Sequence, residues 1–460
     1  MKKTTCTPLV TADAQAAPQP PRALANCGKC GLCLSACPVY KLLREEQASP
    51  RARLQLIKAF DNGNLASSVL LKELISKCLM CGSCAKTCPS GINHYDNFMQ
   101  MRRKMVADHG EEPAIKALIH LLSKEFMLKT GSRIAVVGQR ITPDALAQKY
   151  SLGNIPLSRL PRLNPKPFRD TRPQTVPASS RMPAKARVAY FTGCATNFMF
   201  EDTGNAFVEV LTSLGYEVII PGSQVCCAIP MLFHGAAKQA VFNIKTNIQA
   251  LSQLSCDHII VDCSTCGAAL KDEYPRFLAR AAHDRELAKE FSSGQLADLT
   301  DRAGTVAAKT KEILSFLAAP ESGLTDALPQ KAAIPPVRTV YHAPCHSRNS
   351  FDSHDKARLL LRRLPNIDYI PLPSEADCCG GGGTFFYEHP DLARQMMDKK
   401  QAQVRDAMAA LWLTDCPVCR INISGSLAPA DAIDVCHPVT MAARALKAAR
   451  ALKADESAKP

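Results

Sequence analysis

The hydrophobic positions of this chain fall into two matching series of short apolar runs. RVAYFTGC (187–194), YEVIIPG (216–222) and DHIIVDC (257–263) form the first; RTVYHAPC (338–345), IDYIPL (367–372) and ALWLTDC (410–416) form the second. Each run is short and rich in β-branched and aromatic residues and reads as a buried strand, with helical patterns between the runs. Strands alternating with helices predict two α/β domains built on largely parallel sheets. A looser stretch, APESGLTDALPQKAAIPP (319–336), separates them. Before residue 128 the pattern is helical. SPRARLQLIKAFDNGN (49–64) has a proline near its start and a glycine at its end, and a second helical stretch covers 96–126. The expected architecture is α+β and multidomain. It comprises a flexible tail (1–24), a mainly helical domain (25–128), a basic Pro-rich linker (129–186) and two tandem α/β domains (187–320 and 336–450).

With 460 residues, 46% of them hydrophobic, the chain can bury several cores without disulfide help. Its start has no apolar segment of the secretory kind, and no run of about 18 apolar residues follows. The expected location is cytoplasmic. In such a reducing setting 21 cysteines point to metal rather than to disulfides. The formal charge of +14 is concentrated: between Lys129 and Arg187 there are 12 Lys or Arg against Asp144 and Asp170, with eight prolines. That segment reads as a solvated linker, or as a contact with an acidic partner or the anionic surface of the cytoplasmic membrane. No nucleic-acid motif accompanies the charge, so nucleic acid is not an expected partner.

The cysteines are ordered. CGKCGLCLSACP (27–38) and CLMCGSCAKTCP (78–89) carry the same four-cysteine run, each cysteine of the second lying 51 residues after its counterpart. In a Cys-x2-Cys-x2-Cys-x3-Cys-Pro run, three thiolates on a tight loop hold three corners of one cubane. The fourth reaches the neighbouring cluster, as in bacterial two-cluster ferredoxins. This assigns Cys27, Cys30, Cys33 and Cys88 to one [4Fe–4S] cluster and Cys78, Cys81, Cys84 and Cys37 to a second. Eight thiolates could also hold two zinc ions, but zinc ribbons pair two Cys-x2-Cys knuckles instead.

Ten further cysteines form a second repeat. Cys194, Cys226, Cys227, Cys263 and Cys266 recur about 150 residues later as Cys345, Cys378, Cys379, Cys416 and Cys419, with gaps of 31 and 35 residues becoming 32 and 36. Each set falls at strand ends or in the loops that follow, where open α/β sheets bind ligands. Cys378 and Cys379 open DCCGGGG, whose small residues permit close approach of backbone to a bulky metal group. A vicinal disulfide is the alternative, disfavoured by strain and by a reducing compartment. Cys6, Cys256 and Cys436 remain as incidental thiols, and His342, His346 and His437 read as satisfied strand-end histidines rather than ligands or proton relays.

The two Cys…Cys-Cys…Cys-x2-Cys repeats resemble the CCG cysteine-rich domains of heterodisulfide reductase and its relatives. With the preceding two-cluster module, the arrangement is similar to iron–sulfur subunits of glycolate oxidase and of flavin-linked lactate dehydrogenases. The resemblance implies metal ligation by all five cysteines of each repeat, as additional [4Fe–4S] centres or zinc. One departure is Ala228, where the family has glycine; the second repeat keeps Gly380.

The implied function is electron transfer within a complex that oxidises glycolate to glyoxylate or lactate to pyruvate. The chain has no G-x-G-x-x-G loop, and RIAVVGQR (133–140) is a poor substitute. FAD and the carbon chemistry are therefore expected on a flavoprotein partner, no catalytic residue is expected here, and electrons would pass to quinone or another acceptor. The alternatives are a heterodisulfide-reductase-like subunit that reduces disulfides at its C-terminal centre, and a zinc-bearing assembly scaffold.

Overall fold

The computed structural model describes residues 27–153, 155–179, 184–329 and 335–457; the expected tail and Cys6 lie outside them. The first part is helical. Its Pro50–Asp61 helix begins as the sequence dictates, with Pro50 in the first turn and Ser49 Oγ accepting from the Ala52 amide at 3.0 Å. The stretch expected over 96–126 is two helices, His94–His109 and Pro113–Leu122. Gly110, at φ 71°, ends the first, and Pro113 starts the second.

A short antiparallel hairpin, β1 (Ser151–Leu152) with β2 (Ile155–Pro156), precedes two larger sheets. The first contains β3 (Thr175–Val176), β4 (Ala186–Phe191), β5 (Tyr216–Ile219), β6 (His258–Val261) and β7 (Thr310–Glu312), in spatial order β3-β5-β4-β6-β7. The second contains β8 (Val337–His342), β9 (Ile367–Tyr369), β10 (Leu411–Thr414) and β11 (Asp434–Cys436), in order β9-β8-β10-β11. All pairs are parallel except β3, which runs antiparallel along the β5 edge. The order β5-β4-β6-β7 is repeated as β9-β8-β10-β11, so the repeat of cysteines is also a repeat of topology. The inner strands β4 and β8 are fully buried over their last four residues and end just before Cys194 and Cys345. Cys263 and Cys416 follow β6 and β10, so each set gathers at the C-terminal edge of its sheet.

The segment read as a linker contains ordered structure. The Glu125–Ile141 helix includes RIAVVGQR, so that stretch is not a strand-to-helix nucleotide loop. Phe168 is fully buried, its ring edge-on to Tyr190, and Asn164 Nδ2 donates to the carbonyls of Thr196 and Asn197. These anchors fasten residues 164–176 onto the first sheet. The helical part packs on both sheet domains: Met101 and Met105 share one core with Ile229 and Leu232, while Leu79 joins Ile155, Phe385 and Phe386 in another. The junction is also polar, because Arg102 donates to the carbonyls of Phe233, Ser76 and Cys78.

Candidate metal centres

Backbone conformation repeats along with the helical part's cysteines. Lys29 and Gly31 take left-handed φ values of 53° and 84°, and Met80 and Gly82, 51 residues on, take 52° and 75°. These turns curl each loop so that successive thiols converge. Cys27, Cys30, Cys33 and Cys88 line one small cavity, and Cys78, Cys81, Cys84 and Cys37 line another. Each cavity is bounded by the cysteine quartet expected from the crossed-ligand pattern, including the borrowed fourth member.

Burial pushes Cys33 and Cys37 up to about 11 and Cys84 well above its usual range, with neighbouring thiols adding to the rise in each case. Converging buried thiols of this kind become thiolates only beside a strong positive charge, which the iron of a cluster supplies. Arg53, 1% exposed, binds the carbonyls of Leu74 and Lys77 at 3.1 Å and lowers the neighbouring Cys37 thiol electrostatically. The donor set and the cavities fit two [4Fe–4S] clusters.

The ten cysteines of the sheet domains meet across the domain boundary. Cys194, Cys226, Cys227, Cys266 and Cys263 make successive thiol–thiol contacts, Cys263 contacts Cys416, and the row continues through Cys419 and Cys379 to Cys378. Cys345 lies beside Cys378 and within electrostatic reach of Cys379, Cys416 and Cys81. The adjacent thiols of Cys226 and Cys266 pull Cys227 down to about 5, and those of Cys378 and Cys419 pull Cys379 well below the usual thiol range. In both sets the thiol pulled down is at the same position, the second cysteine of the adjacent pair. All twenty described cysteines are free. Clustered sulfur donors suit iron–sulfur centres or zinc.

A repeated aspartate clamp holds these sets in place, and only its recurrence in both runs could have revealed it. Asp262 and Asp415 immediately precede Cys263 and Cys416. Asp262 accepts from Tyr190 Oη at 2.9 Å and from Thr196 Oγ1; Asp415 accepts from Tyr341 Oη at 2.6 Å and from Ser347 Oγ. Each aspartate thus ties the loop of its Cys-x2-Cys to the helix that begins at the set's first cysteine. Burial raises both carboxyls to about 6. Asparagines on non-equivalent helices add to this clamp: Asn243 Nδ2 donates to the Cys226 carbonyl at 3.0 Å and Asn422 Nδ2 to the Cys379 carbonyl at 2.7 Å.

The histidines divide. His342 is buried at the end of β8, and its ring nitrogen and the sulfurs of Cys379 and Cys419 all lie within 4.8 Å of one another. With these two cysteines it forms a group that could hold a metal ion, a grouping that the strand-end reading did not foresee. His346 is held between Tyr95 Oη and Thr265 Oγ1, both at 3.1 Å, and burial lowers its basicity. His437 Nε2 donates to the Asp262 carbonyl while its Nδ1 caps the Val439 amide. Cys256 and Cys436 are buried away from both sets.

Ala228 keeps the shape that glycine gives its counterpart: its φ is 66°, against 81° at Gly380. The missing glycine therefore changes strain rather than geometry. A Cβ on Gly380 would lie 2.8 Å from Ala393 Cα and 2.9 Å from its carbonyl oxygen, so what excludes a side chain there is the Pro390–Asp406 helix.

Comparison with known proteins agrees with this arrangement. The family description "Cysteine-rich domain" matches residues 188–271 and 339–424, and "4Fe-4S dicluster domain" matches residues 23–92. The chain is 26% identical over 422 residues to the probable glycolate oxidase iron–sulfur subunit of Bacillus subtilis strain 168, covering 87% of this chain and 88% of that one. Its identity to the glycolate oxidase iron–sulfur subunit of Escherichia coli strain K12 is 28% over 431 residues, 92% and 94% of the two chains. To lactate utilization protein A of Geobacillus kaustophilus it is 30% identical over 245 residues, 53% of this chain and 92% of that one.

Proposed function

We propose, from the premise that the chain belongs to the family of glycolate oxidase iron–sulfur subunits and lactate utilization protein A, that it is the electron-transfer subunit of a flavin-dependent 2-hydroxy-acid dehydrogenase complex. Cys27, Cys30, Cys33 and Cys88 hold one [4Fe–4S] cluster and Cys78, Cys81, Cys84 and Cys37 the other. Cys194, Cys226, Cys227, Cys263 and Cys266 form the first further metal site, and Cys345, Cys378, Cys379, Cys416 and Cys419 the second, with His342 beside it. When bound, these centres supply one-electron relay chemistry. The chain's own part is to hold the thiols at fixed spacing, keep water from the buried ones and link the sites. Oxidation of glycolate or lactate takes place at FAD on a partner subunit, and quinone or a similar acceptor takes the electrons.

The observation that carries this reading is the continuity of the thiols. One row runs from Cys194 to Cys378, and Cys345 then stands within electrostatic reach of Cys81 in the helical part. The test is anaerobic purification of the chain with and without a co-expressed flavoprotein partner, followed by iron and flavin analysis. Hydroxy-acid oxidation with an artificial acceptor is expected only in the complex; turnover of glycolate or lactate by this chain alone would refute the subunit reading.

Among the described residues no helix is long and apolar enough to cross a membrane. A peripheral contact is supported by the Glu125–Ile141 helix, where Phe126, Ile134, Val137 and Ile141 are 80, 68, 55 and 74% exposed. Their spacing puts all four on one face, with Arg133 and Arg140 along its edge. An apolar stripe with a basic border suits the interface of an anionic membrane. Flotation with phosphatidylglycerol vesicles should recover the wild type and lose a Phe126→Ser, Ile134→Ser variant; equal recovery would refute the contact.

A further inference from the structure

A cavity of about 530 Å³ lies between the helical part and the second sheet domain. It is within the size range of small-molecule sites. Its wall includes Cys81 from one proposed cluster and Cys345 and Cys378 from the second sheet domain's set, whereas Cys379, Cys416, Cys419 and His342 do not line it. The space thus extends beyond the metal site, and a molecule bound there would touch ligands of two centres at once.

The charge of the wall is one-sided. Lys41, Lys86, Lys399, Lys400 and Arg348 line it, with Asp377 as the only acid among the described residues. Lys41 and Lys86 make only long, exposed ion pairs of 3.9 and 4.0 Å, and Lys400 is buried with its Nζ on the carbonyls of Ser374 and Asp377. Arg348 is the decisive residue. It stands near Cys81 and Cys345, its Nε is buried without a hydrogen-bond partner, and no carboxylate among the described residues pairs with its guanidinium. A planar guanidinium left open toward a cavity, with lysines around it, matches a carboxylate or phosphate. Leaving it bare carries the cost of a desolvated donor, which a bound oxyanion removes.

We propose that this cavity is the binding site of a small multivalent anion, a polycarboxylate or a phosphate-bearing molecule, seated on Arg348 and Lys399 against Cys81, Cys345 and Cys378. The binding site stands on the cavity and its charges; its redox consequence rests on the metal sites proposed above. Reducing a neighbouring centre adds negative charge close to the anion, so the anion binds the oxidised protein more tightly. By linkage it lowers the midpoint potential of that centre by the same factor, about 59 mV for each tenfold difference in affinity.

The test is calorimetric titration of the anaerobically purified full chain, at fixed chloride concentration, with inorganic phosphate and separately with malonate. Saturable binding of one equivalent of either probe is expected, and whichever binds more tightly distinguishes the phosphate-bearing from the carboxylate source. Arg348→Gln should weaken it at least about tenfold and Lys399→Gln severalfold, with iron content and EPR spectra of the ferredoxin-type clusters unchanged. If Arg348→Gln fails to fold or to load iron, the exposed Lys399→Gln together with Lys86→Gln takes its place. No saturable binding of either probe, or binding that both sets of variants leave unchanged, overturns the site. A potential that does not move when the probe binds overturns the redox consequence alone, and absence of iron from the second sheet domain would refute the earlier reading without touching the calorimetric result.

Discussion

The two sheet domains share strand order, cysteine spacing and aspartate clamp, yet the surroundings of their cysteine sets differ in a consistent direction. Where the second has His342 at the end of its inner strand, the first has the fully buried Phe191. Where the second has the buried Lys400, the first has Asn247, which binds the Cys226 carbonyl at 3.1 Å. The first site is covered by residues 164–176, with Arg169 near Cys194 and paired to Glu125. The second opens on a basic cavity through Cys345 and Cys378. Duplication has thus produced one covered site whose neighbouring cation is paired and one open, cationic site on the same scaffold. The lesson is that ligand spacing defines a metal site, while neighbours that are not ligands decide what can reach it and at what potential.

The largest effect that would sharpen this comparison is at the glycine of the second pair. Gly380→Val forces a β-branched residue into φ 81° and against Ala393, and should cost about 3–5 kcal/mol, read as a large fall in thermal midpoint. A wild-type midpoint would show that the Pro390–Asp406 helix yields easily. Next, Lys400→Asn gives the second site the first site's neighbour. It should lower the potential of the second domain's centre by about 50–100 mV, the order expected when one charge is removed at an effective dielectric of about 20. The reciprocal Asn247→Lys should raise the first; redox titration followed by EPR decides both.

The junction of the two domains gives a pH-dependent test. Glu111 lies 3.6 Å from His234 of the first domain, and burial, followed by Glu388 of the second, raises its carboxyl to about 7. A folded value above the unfolded one stabilises fully below about pH 4.3, and the contribution is lost as pH rises toward 7. Glu111→Gln should therefore match wild type at pH 4.5 and exceed it by about 1–2 kcal/mol at pH 8, after allowance for its partial exposure. A constant difference across that range would contradict the assignment. The smallest effect is Ala228→Gly, which relieves a left-handed alanine and should stabilise by about 1 kcal/mol, seen as a modest rise in thermal midpoint.

Much of this was visible in the chain itself. The six apolar runs became β4, β5, β6, β8, β9 and β10, and the four-cysteine runs foretold which thiols share a cavity, because short loops between cysteines fix local geometry. Other features were present but needed the two repeats laid side by side: Tyr190 with Tyr341, Asp262 with Asp415, Phe191 with His342 and Asn247 with Lys400. The anchors in the Pro-rich segment were hidden, since single buried residues such as Asn164 and Phe168 on irregular backbone leave no periodic signal. The basic cavity was out of reach of any local pattern, because Cys81, Arg348 and Lys399 meet only through packing of distant segments.

The central claim is that the second sheet domain's cysteines hold a redox-active iron–sulfur centre separate from the two ferredoxin-type clusters. It is tested most directly by iron counting and EPR on anaerobically purified wild type and Cys379→Ser. The expected result is loss of iron and of one set of signals, with the ferredoxin-type signals intact. Unchanged iron, or zinc in place of iron in the wild-type sheet domains, would contradict it.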